Sequence, residues 1–285
     1  MGNFGQKIGM AAIAGIASTP LGGVAYRCAR RQKIKPKEVK HFSALVPNNT
    51  REIHLTGHRG LSAVYPENTA LAFEAGGKAG FYALECDTHC TTDGVWVVLH
   101  DGPIQTMFDG KGDVKTHSYA QMRQKKMING ANLDKYPDAH ICTLQEYIDI
   151  CKKYGCRPMI EVKDERTEKM QSFYELLRQN EILESCILIS FHISVLRALY
   201  AIDKNLELWY LINYINDKRI AQAKSCGNAG IAFCAQYNVP RPEAIKKVHD
   251  NGLTAACWTV DSADLLKKMM DCGVKYITTN SILPD

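Results

Sequence analysis

Short apolar segments alternate with longer amphipathic segments over most of this sequence, and this alternation restricts the fold more than any other feature. Strands that are separated by helices build parallel sheets, because a parallel connection needs a crossover of a dozen or more residues. Eight strands are predicted, which is the number that closes an α/β barrel of the (β/α)8 or TIM type. The first two strands end at His58 and Asp87. The other six cover residues 158–163, 187–191, 206–212, 229–234, 254–260 and 276–279.

The barrel is predicted to occupy residues 52–285, with a small insertion at about residues 101–141 after the second strand. The insertion lacks the regular alternation and contains the run Asp109-Gly110-Lys111-Gly112-Asp113, which is typical of loops. Few residues follow the eighth strand. The segment before Glu52 is therefore expected either to cover that side of the barrel or to leave it open.

Residues 1–51 are predicted to form an N-terminal region with an apolar segment and a basic linker. Residues 8–26 carry no charge and are long enough to span a bilayer as an anchor, although small and helix-breaking residues dilute their apolarity. A cleavable signal peptide, a lipid-surface segment and a disordered tail stay open as alternatives. The basic cluster at 27–40 places the body on the cytoplasmic side, and it predicts contact of residues 1–40 with an anionic membrane surface.

The net charge of +5 belongs to the first 40 residues, which contain eight Lys or Arg residues and one acidic residue. The remaining body is slightly acidic, and this excludes a basic surface for nucleic acid. The eleven cysteines are scattered and mostly lie in apolar segments, which indicates reduced core thiols and a cytosol-like compartment.

A buried strand that carries two carboxylates is the strongest chemical signal in the sequence. Glu85 and Asp87 are two residues apart, so they share one face of the strand and can hold one hard cation such as Ca²⁺ or Mg²⁺. A turn at Thr92-Asp93-Gly94 and a short antiparallel strand then return His100 towards these carboxylates. A buried ion pair and a hydrogen-bonded core histidine are the structural alternatives. A weaker alternative is a zinc site at Cys86, His89 and Cys90.

The other unusual polar residues also fall where predicted strands end, and these ends form the active-site face of an α/β barrel. They are His58, Arg59, Glu161, Lys163 and Trp258. Three carboxylates predict a site for a hard metal ion, two cations can neutralise a phosphate, and two histidines can act as acid and base. This combination favours phosphodiester cleavage.

An ordered series of short motifs covers most of residues 53–280. The motifs are His58-Arg59-Gly60, Pro66-Glu67-Asn68-Thr69, Glu85-x-Asp87, Thr92-Asp93-Gly94 through His100-Asp101, Glu161-x-Lys163, Ser190-Phe191 and Trp258-Thr259-Val260-Asp261. In its order and spacing, this series resembles the glycerophosphodiester phosphodiesterase family.

The resemblance implies a barrel hydrolase that uses one divalent cation, Ca²⁺ or Mg²⁺, and splits glycerophosphodiesters into glycerol 3-phosphate and an alcohol. His58 and His100 would be the catalytic acid–base pair, while Arg59, Lys163 and Trp258 would bind the substrate. The metal ligands would be Glu85, Asp87 and Glu161. Attack by the glycerol 2-hydroxyl, with a cyclic phosphate intermediate, is one route in the family, and the sequence does not choose it.

Two other activities stay open at this point. One is cleavage of membrane lipid, as a lysophospholipase D or a phosphoinositide-type phospholipase C. The other is phosphodiester binding without catalysis. Three positions also differ from the common pattern of similar sequences: Thr106 stands where arginine is frequent, Asp261 where asparagine is common, and Asn280 where aspartate is usual.

Overall fold

The computed structural model describes residues 33–227, 229–239 and 241–285. Eight parallel strands close into a barrel, because the first strand pairs with both the second and the eighth. The strands are β1 (His54–His58), β2 (Ala83–Cys90), β3 (Arg157–Val162), β4 (Ile187–Ser190), β5 (Leu208–Ile212), β6 (Ala229–Cys234), β7 (Thr254–Trp258) and β8 (Tyr276–Thr279). The predicted TIM-type barrel is confirmed.

Seven helices follow the first seven strands and pack on the outside of the barrel. They are α1 (Ala70–Lys78), α2 (Leu144–Tyr154), α3 (Met170–Gln179), α4 (Ile193–Ile202), α5 (Asp217–Lys224), α6 (Pro242–Asp250) and α7 (Ala263–Asp271). Their start points follow from local sequence. Thr143 and Glu146 form a reciprocal capping box at the start of α2, and Gly155 ends the same helix in the left-handed conformation.

The excursion after β2 runs antiparallel, as the short loop length predicts. Trp96–Val98 pairs with β2 on one side and with the short strand Cys142–Thr143 on the other. Between them the insertion contains three 3₁₀ turns (Ile104–Thr106, Val114–Thr116 and Leu133–Lys135) and one short helix (Tyr119–Arg123). A small apolar cluster around Ile104, Phe108 and Met122 gives the insertion a core of its own.

The described residues after β8 form a short strand, Ile282–Leu283, which pairs in parallel with Lys40–His41. A single-turn helix, Phe42–Leu45, directly follows Lys40–His41 in the chain and buries Phe42 in the main core. Residues 33–51, the described part of the segment before Glu52, therefore cover the side of the barrel where the described residues form no eighth helix. Further upstream, the backbone N–H of Ile34 donates to Asn129 in the insertion, and that of Lys37 donates to Ala63 in the loop after β1.

Two apolar layers hold the barrel. The larger one lies between the strands and the helices, while a smaller one fills the barrel interior around Met159, Trp209 and Ala256. Gly230 makes room for Trp209, because a Cβ atom at this position would lie 2.5 Å from the indole ring. Within the described residues, no helix has both the length and the apolar composition needed to cross a bilayer. The apolar segment 8–26 lies outside the described residues.

Candidate active site

The carboxyl ends of β1, β2 and β3 bring together side chains that are far apart in the sequence. Glu85 of β2 is in register with His58 of β1, and Asp87 of β2 is in register with Glu161 of β3. Residues in register lie side by side on neighbouring strands. His58 therefore lies beside Glu85, and Asp87 lies beside Glu161. One pocket is lined by six of the predicted site residues: His58, Arg59, Glu85, His100, Glu161 and Trp258.

The three predicted metal ligands converge on one point. Glu85, Asp87 and Glu161 each offer an oxygen atom, and these oxygens lie within 4.8 Å of one another. All three side chains are buried. Oxygen donors from carboxylates are the ligands that Ca²⁺ and Mg²⁺ prefer. The donor set therefore fits a hard divalent cation.

Two half-buried cations, Arg59 and Lys163, contact the carboxylates of the site. Arg59 contacts Glu67 at 2.9 Å and Asp87 at 3.3 Å, while Lys163 contacts Glu161 at 2.9 Å and Asp87 at 3.3 Å. With Glu85, the site has four carboxyl groups and two cations, so it would carry an excess of negative charge if all four groups were ionised. A divalent cation would balance that excess.

The uneven charge balance appears in the pKa values of the carboxyl groups. Burial and the neighbouring charge of Asp87 raise the pKa of Glu85 well above its usual value. Burial also raises the pKa of Glu161 to about 7, although Lys163 acts in the opposite direction. Burial acts in the same sense on Asp87, but Lys163, His100 and Arg59 outweigh it and hold the pKa of Asp87 well below its usual value. Asp87 is therefore the firmly ionised member of the cluster.

The backbone of the His58-Arg59-Gly60 motif explains why these residue types follow β1. Arg59 adopts a left-handed conformation with φ of 57°, which is uncommon for a residue other than glycine. In this conformation its N–H donates to Glu85 at 3.0 Å. Gly60 also has positive φ, and a Cβ atom there would lie 2.5 Å from the backbone of Ala72 in α1. The motif thus packs the loop against α1 while it turns Arg59 into the site.

The two histidines have different partners on their Nδ1 atoms. His58 Nδ1 lies 2.8 Å from the amide oxygen of Asn280, whereas His100 Nδ1 lies 2.6 Å from the carboxylate of Asp101. The Nε2 atom of His58 lies 3.9 Å from Glu85. Burial and the nearby charge of Arg59 lower the pKa of His58 to about 4, so its neutral form is favoured.

The far wall of the pocket is apolar and includes Met159, Ile189, Leu211 and Trp209. Trp258 lies at its rim, where the indole N–H donates to the carbonyl oxygen of Ala232. Phe191 packs edge-on against Trp258 with ring centroids 5.6 Å apart. Phe191 belongs to the Ser190-Phe191 motif and is 37% exposed at the pocket. It follows Ser190, the last residue of β4, and therefore lies on the loop side of the barrel.

Several residues that support the site were not assigned to it from the sequence. The residue types of Glu67 and Asn68 are typical of a helix start. In the structure, however, Glu67 pairs with Arg59, and the Asn68 amide donates to Asp87 at 2.8 Å. The sequence feature that indicated a role in the site was their place in the motif Pro66-Glu67-Asn68-Thr69. His89, which the zinc alternative groups with Cys86 and Cys90, is buried on β2. Among the described residues, the group of side chains that could hold a metal ion is the carboxylate cluster, not the alternative set of Cys86, His89 and Cys90.

Comparisons with known proteins show which family the chain is similar to. The model of the Glycerophosphoryl diester phosphodiesterase family matches residues 58–283. A protein named Glycerophosphodiester phosphodiesterase from Bacillus subtilis (strain 168) is 26% identical over 243 residues, which cover 78% of this chain and 82% of the relative. The uncharacterized protein YqiK of the same organism is 27% identical over 231 residues, covering 78% of this chain and 93% of its own length.

Solved structures are similar in fold. A phosphodiesterase from Oleispira antarctica in complex with the product sn-glycerol-3-phosphate gives a TM-score of 0.73 at 21% identity, covering 80% of this chain and 93% of the other. A protein described as a glycerophosphoryl diester phosphodiesterase from Silicibacter pomeroyi DSS-3 gives 0.72 at 23% identity, covering 82% and 91%. The resemblance found in the motifs is thus confirmed. The chain belongs to the glycerophosphoryl diester phosphodiesterase family, and it is an enzyme of the phosphoric diester hydrolase class.

Proposed function

We propose that this protein hydrolyses soluble glycerophosphodiesters to glycerol 3-phosphate and an alcohol, with one divalent cation and a pair of histidines. The observation that carries the proposal is a single pocket that presents His58 and His100 beside the carboxylate cluster. A phosphodiester brings an anionic group that needs positive charge, an attacking oxygen that must lose a proton and a leaving oxygen that must gain one. The pocket offers a group for each need.

Glu85, Asp87 and Glu161 would hold the cation, either Ca²⁺ or Mg²⁺. When bound, such an ion supplies Lewis-acid stabilisation of negative charge on the phosphate oxygens. The carboxylates themselves cannot contact a phosphate without repulsion. The three carboxylates would therefore need a bound cation to accommodate a phosphate in the pocket.

His58 and His100 would exchange protons with the reacting oxygens. His58 is kept neutral by burial and can accept a proton from the attacking hydroxyl group. His100 contacts the Asp101 carboxylate, which offsets the positive charge of a ring that holds two protons. His100 can therefore donate a proton to the alcohol oxygen as its bond to phosphorus breaks. The attacking group is either the glycerol 2-hydroxyl or water, and both give up one proton.

Arg59, Lys163 and Trp258 would position the substrate. Arg59 lines the pocket, and Lys163 lies against the same carboxylates, so both place positive charge near the phosphate. Trp258 presents an aromatic surface at the rim, next to Phe191, on which glycerol or the alcohol could pack. We expect Trp258→Ala to raise KM more than it lowers kcat.

The test is release of glycerol 3-phosphate from glycerophosphocholine and glycerophosphoethanolamine by the full chain. The assay is run in EDTA and then with Ca²⁺ or Mg²⁺ restored. We expect release that depends on the added ion and falls at least about 100-fold in His58→Ala and His100→Ala, as is typical for a lost acid or base. His249→Ala is the matched control, because this histidine is exposed on α6. No release with either ion would contradict the proposal, and lysophosphatidylcholine as substrate would then test lipid cleavage.

We further propose that the N-terminal region, residues 1–51, brings the barrel of residues 52–285 to an anionic membrane surface on the cytoplasmic side. The charge distribution supports this, because the basic cluster at 27–40 follows an apolar segment. Sedimentation with vesicles of phosphatidylglycerol or phosphatidylcholine tests it. We expect binding to the anionic vesicles alone, and we expect replacement of Arg27, Arg30 and Arg31 by glutamine to weaken it. Equal binding to both vesicle types would contradict the electrostatic contact.

A further inference from the structure

A chain of hydrogen bonds leads away from His58 on the side that does not face the metal ligands. The Nδ1 atom of His58 lies 2.8 Å from Oδ1 of Asn280, and Ser62 donates its hydroxyl to the same oxygen at 3.0 Å. On its other side, Asn280 donates its amide nitrogen to Asp261 at 2.7 Å. Asn280 therefore joins a histidine of the pocket to a carboxylate that does not touch the substrate pocket.

The carboxylate of Asp261 fixes which way the Asn280 amide points. It accepts four hydrogen bonds, from the backbone N–H and amide nitrogen of Asn280, the Thr279 hydroxyl and the Lys37 ammonium group. An ionised carboxylate only accepts hydrogen bonds, so the NH₂ group of Asn280 must face Asp261. Its oxygen must then face His58 and Ser62. The two ends of an asparagine amide look alike in shape, but the charge of Asp261 decides between them.

The orientation of the amide decides the tautomer of His58. An amide oxygen cannot donate, so the hydrogen bond at 2.8 Å requires a proton on His58 Nδ1. In the neutral ring the other nitrogen, Nε2, then carries no proton. We infer that Asn280 and Asp261 are positioning residues that hold His58 with its proton on Nδ1 and leave Nε2 ready to accept a proton. The inference rests on the proposed role of His58 as the base.

The family resemblance implies the opposite arrangement at these two positions, with asparagine at 261 and aspartate at 280. In this chain the carboxylate and the amide have changed places, and the contact between them is kept at 2.7 Å. His58 therefore meets an amide oxygen instead of a carboxylate. An amide fixes the ring as well as a carboxylate does, but it offsets less positive charge on a doubly protonated ring. A neutral base is the state that this arrangement suits.

The experiment measures the tautomer directly and activity separately. The ¹⁵N chemical shifts of the His58 ring in the full chain distinguish a proton on Nδ1 from one on Nε2, with His58→Ala identifying the signal. We expect the Nδ1–H form in the wild type. We expect Asp261→Asn to give a mixture of the two forms and to lower kcat about tenfold with little change in KM, because an amide at 261 no longer imposes an orientation.

A reciprocal exchange provides the rescue. Asn280→Asp alone places two carboxylates in contact, and we expect it to lower kcat. The double variant Asp261→Asn/Asn280→Asp again pairs one carboxylate with one amide, and we expect it to recover the Nδ1–H form and most of kcat. Asp264→Asn is the matched control, because Asp264 is exposed on α7 and pairs with Lys268.

An Nε2–H tautomer in the wild type would overturn the inference, and this measurement needs no variant at Asn280 or Asp261. An unchanged tautomer and unchanged kcat in Asp261→Asn would also overturn it. A wrong assignment of His58 as the base would give a different result, because His58→Ala would then retain hydrolysis. The ¹⁵N shifts of the wild type would still report the tautomer in that case.

Discussion

Replacing Glu161 by glutamine should make the metal-free protein more stable at alkaline pH, although it removes a predicted metal ligand. Glu161 is buried, and its pKa is raised to about 7 by burial, with Asp87 acting in the same sense. In the unfolded chain Glu161 loses this proton at its ordinary pKa of 4.5, whereas in the folded chain it keeps the proton to about pH 7. The fold therefore loses stability as the pH rises through this window, because the unfolded state binds fewer protons there.

The magnitude follows from the same pKa values. One unit of pKa corresponds to about 1.4 kcal/mol, so the change from 4.5 to about 7 corresponds to about 3 kcal/mol of unfolding free energy. Glutamine cannot ionise, and its side chain can still accept the hydrogen bond from Lys163. We expect Glu161→Gln and wild type to differ by less than about 1 kcal/mol at pH 4 and the variant to be more stable by up to about 3 kcal/mol above pH 8.

Urea unfolding in EDTA at several pH values measures this difference. Glu184→Gln is the matched control, because Glu184 is exposed and its replacement should have an effect below about 0.5 kcal/mol at every pH. A difference that does not change with pH, or a variant that is less stable than wild type at pH 8, would refute the reasoning. Adding Ca²⁺ or Mg²⁺ should then stabilise the wild type by about 2.7 kcal/mol at a concentration of about 100 Kd, and the variant less.

Three further changes test the scaffold by chemical unfolding. Tyr147→Phe should lower the unfolding free energy by about 1–3 kcal/mol, because its buried hydroxyl donates to the β2 backbone at 2.6 Å and accepts from the β3 backbone at 3.0 Å; an effect below about 0.5 kcal/mol would contradict this role. Gly230→Ala should cost about 1–3 kcal/mol through overpacking against Trp209, and a stabilised variant would show that the indole has room to move. Lys37→Ala should cost less than about 1 kcal/mol, because the Lys37 side chain is 57% exposed where it pairs with Asp261; a larger loss would indicate that the N-terminal segment depends on this ion pair.

The barrel could be predicted because its signal is repeated. Each of the eight strands is a short apolar run, and a segment with helical periodicity separates each strand from the next, so one misplaced boundary does not change the topology. The predicted end of the seventh strand at Val260 was two residues too long, since β7 ends at Trp258. The insertion gave a weaker signal, because its 3₁₀ turns and its small core have no fixed period.

The carboxylate cluster could be predicted for a thermodynamic reason. Glu85, Asp87 and Glu161 lie in strands that are otherwise apolar, where a carboxylate reduces stability unless a partner compensates. Such residues are informative because they do not help the chain to fold. Glu67 and Asn68 gave no such signal, since helix starts commonly carry these residue types.

The link from His58 to Asp261 depends on which strands are neighbours in the barrel, and the residue types alone do not indicate this. Asp261 follows β7, Asn280 follows β8 and His58 ends β1, and these three strands are consecutive around the barrel. Once the order of strands is known, side chains that follow neighbouring strands can be paired and their donors and acceptors assigned. The exchange of Asp and Asn then has a chemical meaning: the contact between the two positions is preserved, while the carboxylate lies one residue further from the histidine. A substitution pattern that looks like two separate departures is thus one change, and the double variant Asp261→Asn/Asn280→Asp should show this as an effect smaller than that of either single substitution.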